Sequence, residues 1–155
     1  MMKINEFVKP DMEVARSVNL ERDAGSIDIV KDYQITDKTR AILGRFADAL
    51  FGEKISAWSL TGPYGMGKSS FINYLLALTS NPNTNLANNA WQKLKESDPD
   101  LFEKLLAGIN NVDGQGFLQI PVTASYEPVN SSVLRGINNA LKTADLPKKS
   151  KLLVV

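Results

Sequence analysis

Over the first 35 positions the apolar residues are too scattered to trace one face of a helix, so this stretch is expected to be irregular or to hold short strands. Within it, Ser26-Ile27-Asp28-Ile29-Val30 has the apolar density of a short strand. The pattern changes at Thr36. Ile42, Leu43, Phe46 and Leu50 then recur at helical spacing, Thr36 or Asp37 stands where an N-cap belongs, and Gly52 marks an end. A helix from about Lys38 to Phe51 is predicted. The run from Ile55 to Thr61 reads as a buried strand leading straight into Gly62. From Lys68 to Leu78, apolar residues at 71, 72, 75, 76 and 78 again predict a helix.

Thr79 to Asn89 is rich in Asn and contains Pro82, which predicts a loop leading into a helix over Leu86 to Glu96. Ser97-Asp98-Pro99 breaks that helix and starts another, Pro99 to Ile109. A turn-rich connector, Asn110 to Gly116, precedes the strand-like Phe117 to Thr123, where Pro121 points to an edge or an irregularity. Asn130 or Ser131 caps a helix carrying Val133, Leu134, Ile137 and Leu141, and Lys151 to Val155 resembles the start of a strand. Strands alternating with helices predict an α/β domain, a mostly parallel sheet flanked by helices. Its expected extent is 36–155, with a helical insertion over about 80–112 and the irregular segment 1–35 in front.

Composition narrows the chemistry. There is no cysteine and no histidine. Disulfides, thiolate nucleophiles, imidazole acid–base catalysis and the usual zinc sites therefore have no residues to work with. A formal net charge of +1 gives no overall field for nucleic acid, although it does not exclude a local patch. No run approaches the roughly 18 apolar residues that span a bilayer. Met1 to Val8 lacks the architecture of a signal peptide, so a cytoplasmic protein without membrane contact is expected.

One segment carries specific chemistry. Gly62-Pro63-Tyr64-Gly65-Met66-Gly67-Lys68-Ser69 matches G-x-x-x-x-G-K-[ST] at every fixed position. A phosphate tail needs several backbone N–H groups converging on it, and only a loop free of obstructing side chains wraps that closely. Gly62, Gly65 and Gly67 give that freedom. The helix expected from Lys68 turns its unpaired N–H groups and positive dipole end to the same anion. Lys68 adds a mobile cation for the β- and γ-phosphates. Ser69 offers a hydroxyl to Mg²⁺, and Ser70 a further phosphate contact. Residues 62–70 are thus read as a nucleotide cradle.

Other signals are weaker. Asp113-Gly114-Gln115-Gly116 has D-x-x-G spacing but follows no hydrophobic strand, and no N-K-x-D guanine-reading motif occurs, so a plain turn is the better reading. Glu127, just beyond the expected strand 117–123, is a candidate catalytic carboxylate that could orient a water, set against a solvated loop charge. Arg16, Arg22 and the run Lys148, Lys149, Lys151 read as surface charge. Trp58 is expected in the core, and Trp91 in the core or an interface. An acidic residue closing a hydrophobic strand, which would help hold Mg²⁺, is not found. The strand placed to carry it is Leu152 to Val155, where the sequence stops, so the chain is expected to be part of a longer ATPase.

The stretch from Asp37 to Val155 resembles the front half of an AAA+ or STAND-type P-loop ATPase. The wording around the loop, Trp58 to Phe71, is similar to large ATPases of bacterial phage-defence islands. That resemblance implies ATP and Mg²⁺ as ligands and a base pocket near Tyr33 to Thr36. It also implies oligomerisation or a protein partner, with a nucleic-acid target possible for the parent protein. Carry-over is confined to Gly62, Gly65, Gly67, Lys68 and Ser69. Two other readings use the same loop: a small-molecule kinase, though no arginine cluster follows the loop, and a nucleotide-binding interaction module without turnover.

Overall fold

Seven helices make up the regular structure of the computed structural model, which describes residues 18, 20–23, 25–52, 57–113, 117–123 and 125–143. They are α1 (Leu20–Asp23), α2 (Ile27–Asp32), α3 (Asp37–Phe51), α4 (Lys68–Leu78), α5 (Asn85–Ser97), α6 (Pro99–Asp113) and α7 (Val129–Thr143). Local chemistry explains most of their starts. Thr36 caps α3, its hydroxyl accepting from the Thr39 N–H, and Thr84 does the same for α5 through Ala87. At the α5–α6 junction the Asp98 carboxylate accepts from the Leu101 N–H at 3.0 Å, with Pro99 as the first residue of α6.

The expected parallel sheet is absent: no strand occurs among the described residues. Each strand that can be checked fails for its own reason. Ser26 to Val30 is helical because Ser26 acts as an N-cap for Ile29, and the turn it starts buries Val30. Residues 57–61 form no regular element and are mostly exposed, with no strand partner among the described residues. Trp58, expected in the core, is half exposed and touches Phe46 edge-on. Residues 117–123 likewise form no regular element, and bonds from Phe117 and Gln119 go to a helix end. The Phe117 N–H donates to the Thr79 carbonyl at 2.9 Å, and the Gln119 amide donates to the Leu76 carbonyl and the Thr79 hydroxyl. The connector expected over Asn110 to Gly116 is shorter than predicted, since α6 continues to Asp113. The strand expected at Leu152 to Val155, the lysines before it, Arg16 and the turn 114–116 lie outside the described residues.

The core is helix on helix. Leu43, Ala47 and Leu50 of α3 meet Leu101, Leu105 and Ile109 of α6, while Tyr74, Ala77 and Leu78 of α4 join Ala90 and Leu94 of α5. Val30 of α2 closes the same cluster, so the segment ahead of Thr36 packs with the rest. Trp91 is partly buried, edge-on to Phe102 at 5.6 Å. Two details set the tolerance of this core. Asn73 is buried, and neither of its side-chain polar atoms has a hydrogen-bond partner among the described residues, a cost on the order of 1–3 kcal/mol. Gly108 lets α6 approach α3 closely, because a Cβ there would lie 3.1 Å from Leu50 Cβ and 3.4 Å from the Ala47 carbonyl oxygen. Gly108→Val should therefore destabilise the protein by about 1–3 kcal/mol through overpacking, measured as a lower urea midpoint with unchanged slope.

Candidate phosphate-binding loop and adjoining cavity

Residues 62–67 lead into α4, and two of the three glycines are there for their backbone angles. Gly65 and Gly67 have φ of +80° and +75°, in the left-handed region that side chains resist. A Cβ at Gly62, Gly65 or Gly67 would meet nothing within 4 Å, so conformation, not crowding, calls for glycine at 65 and 67. Gly67 is also the N-cap of α4. Having no side chain, it makes no capping bond, which leaves the first-turn N–H groups of α4 without a side-chain acceptor. Those donors and the helix dipole converge on one spot, an arrangement suited to an anion.

Lys68 folds back over the loop. Its ammonium donates to the Gly62 carbonyl at 2.9 Å and the Pro63 carbonyl at 2.7 Å. These bonds hold the arch closed and keep the cation beside the loop, where a phosphate would compete for it. Ser69 and Ser70 are half buried on the first turn of α4. Tyr64 and Met66, at the loop's variable positions, are 94% and 61% exposed.

A cavity of about 360 Å³ opens beside the loop. It is lined by Met66, Gly67 and Ser70, by Asp28, Ile29 and Asp32 of α2, by Tyr33, Gln34 and Thr36, by Thr39 of α3 and by Val18. Its volume falls in the range of small-molecule sites. Tyr33 is its best-fixed residue. The ring stacks on Tyr74, with centroids 4.7 Å apart and 20° between planes. Its hydroxyl hydrogen bonds with that of Thr39 at 2.9 Å, and the Thr39 hydroxyl in turn bonds with that of Thr36. Burial raises the Tyr33 pKa above its ordinary value despite the Thr39 bond, so the phenol stays neutral. Tyr74 is held from the other end, its hydroxyl donating to the Ala90 carbonyl at 2.9 Å. A rigid, uncharged aromatic wall thus stands beside an anion-attracting loop.

Of the residues expected at the phosphate, Met66, Gly67 and Ser70 line the cavity, and of those expected at the base, Tyr33, Gln34 and Thr36 do. Glu127 is not part of this group. It lines a separate depression with Ser125, Tyr126 and Pro128. One carboxylate oxygen, Oε1, accepts from Ser125 Oγ at 2.6 Å, Ser132 Oγ at 2.7 Å and Arg135 Nη2 at 2.9 Å. These bonds tie the loop before α7 to its first two turns. Asp28, Ile29 and Asp32 were not foreseen in the site. They fall within a segment whose pattern suggests a strand, and only the helical turn sets 28, 29 and 32 on a common side.

Comparison of the chain with protein-family models, with curated proteins and with solved structures finds no match.

For Mg²⁺, the Ser69 hydroxyl is a suitable single ligand at the start of α4. Among the described residues no group of three or more His, Cys, Asp or Glu converges on a metal position.

The bonds to Glu127 make its carboxylate a pH-dependent clasp. The hydroxyls of Ser125 and Ser132, then Arg135, hold its pKa down from 4.5 to about 2. A depressed carboxylate stabilises the fold above its unfolded pKa, and that stability is lost as pH falls through the folded value. Glu127→Gln should be less stable than the parent at pH 6, and the gap should close as both are titrated toward pH 2. Thermal unfolding across that range is the measurement.

Proposed function

We propose that this chain binds ATP, its phosphates in the loop Gly62 to Ser70 and its base in the cavity against Tyr33. The observation that carries this reading is one of placement. A single cavity is bordered both by the loop's Met66, Gly67 and Ser70 and by the fixed aromatic Tyr33 with Ile29. An anion-attracting end joined to a flat apolar wall matches the two chemical halves of a nucleotide. Lys68 would exchange its carbonyl partners for phosphate oxygens, and Ser69 would give Mg²⁺ one ligand. The bound metal would supply charge neutralisation between the β- and γ-phosphates.

The described residues favour binding over turnover. Phosphoryl transfer to water needs a positioned nucleophile as well as a cradle. Glu127, the expected candidate, has Oε1 engaged by Ser125, Ser132 and Arg135 and is depressed in pKa, so it is a weak base. The carboxylates that line the cavity, Asp28 and Asp32, come from α2, not from the loop or α4. On the resemblance to AAA+ and STAND-type ATPases, nucleotide here would serve to switch contacts with a protein partner or further copies.

The test is ligand-linked stability. Mg-ATP at a hundredfold excess over its dissociation constant should stabilise the protein by about 2.7 kcal/mol. Lys68→Ala should abolish most of that gain while barely moving the unliganded melting point, since Lys68 bonds only to exposed loop carbonyls. An unchanged melting temperature with ATP, ADP, GTP and GDP alike would remove the proposal. In a phosphate-release assay the parent should match the Lys68→Ala blank. Turnover of about 1 s⁻¹ or more, the ordinary enzymatic range, would refute the assignment of binding without turnover.

A further inference from the structure

The cavity beside the loop is chemically lopsided. On the α4 side, backbone donors and the helix dipole attract anions. On the α2 side stand Asp28 and Asp32, one helical turn apart and both lining the cavity. Neither carboxylate has a hydrogen-bond or ion-pair partner among the described residues. Both side chains are exposed, whereas Ile29 and Tyr33 between and beside them are half buried.

A carboxylate accepts hydrogen bonds and donates none. It also repels phosphate, so a polyanion lying along the whole cavity is disfavoured. The favoured ligand has its anionic end at Gly67 and Ser70 and hydroxyl or amino donors at the α2 end. Exposure separates the two kinds of donor. A base gains most from the half-buried Ile29 and Tyr33, which are apolar and aromatic. The acidic pair lines the same cavity but is exposed, which suits the more polar part of a nucleotide, between base and phosphates. That part is the sugar, and a ribose presents two adjacent hydroxyls that one carboxylate can bind together.

We propose that Asp28 and Asp32 accept hydrogen bonds from the ribose hydroxyls of the bound nucleotide, making the site selective for ribonucleotides over deoxyribonucleotides. The inference rests on the nucleotide-binding reading above. It gives the α2 carboxylates a positive role in a cavity where, against phosphate alone, they would be a liability.

The experiment is isothermal titration of the full chain with Mg-ATP, Mg-2′-deoxy-ATP, Mg-2′,3′-dideoxy-ATP and tripolyphosphate. The proteins are the parent, Asp28→Ala, Asp32→Ala and the double variant, each checked for helicity by circular dichroism. Bonds to a charged acceptor being among the stronger kind, the parent should bind ATP about tenfold or more tightly than the dideoxy analogue. The double variant should lose that ratio through weaker ATP binding, while its affinity for tripolyphosphate holds or improves. Equal binding of ATP and the dideoxy analogue by the parent overturns the proposal. So does a double variant that binds every ligand more tightly by one common factor, because the carboxylates then act by repulsion alone. Failure of all four ligands to bind the parent overturns the nucleotide reading itself, which distinguishes that failure from a loss of sugar discrimination alone.

Discussion

Helix α4 has to satisfy opposite demands at its two faces and its start. Its first turn leaves backbone N–H groups without a side-chain cap, which is tolerable only where water or an anion reaches them. One turn further on, Tyr74, Ala77 and Leu78 are buried against the other helices. The loop is therefore not a free appendage. The left-handed turn at Gly67 aims the donors outward while the same helix is anchored in the core, so the donors keep their direction without a ligand to hold them.

The stacked tyrosines extend this anchoring to the cavity wall. Tyr74 is fixed by the core and by the Ala90 carbonyl, Tyr33 lies on Tyr74, and Thr39 pins the Tyr33 hydroxyl. Three stretches of the sequence, 33–39, Tyr74 and Ala90, thus set one aromatic face beside the loop. Pre-organisation of this kind would reduce the ordering cost of the proposed binding, since neither ring would have to be immobilised by a ligand. The other end of α4 is tied too, through Thr79 and Gln119, to the segment 117–123, on which α7 rests near Gly136.

Much of the helical architecture was legible in the sequence because helices are specified locally. The span of α4 and the starts of α3 and α6 follow from spacing, caps and Pro99, and the loop follows from its glycines and Lys68-Ser69. The sheet was misread because short apolar runs such as 26–30 and 57–61 suit either a strand or some other setting. What makes a strand is a neighbour for its N–H and C=O groups, and a single segment does not reveal its neighbour. Ser26 tips its run to helix with one hydroxyl, a preference that a hydrophobicity pattern overlooks.

By itself the sequence determined the glycine-rich loop 62–67 and the start of α4 at Lys68, and so the place of the proposed phosphate site, because these depend on consecutive backbone angles and on two adjacent side chains, Lys68 and Ser69. Tertiary structure decided what else belongs beside the loop. It turned Glu127 into a clasp for α7, left Trp58 half exposed, and brought Asp28, Asp32 and Tyr33 to the edge of the same cavity as Gly67. Those outcomes depend on which helices pack together, and a residue's neighbours across a core are set by the whole chain, not by its own stretch of it.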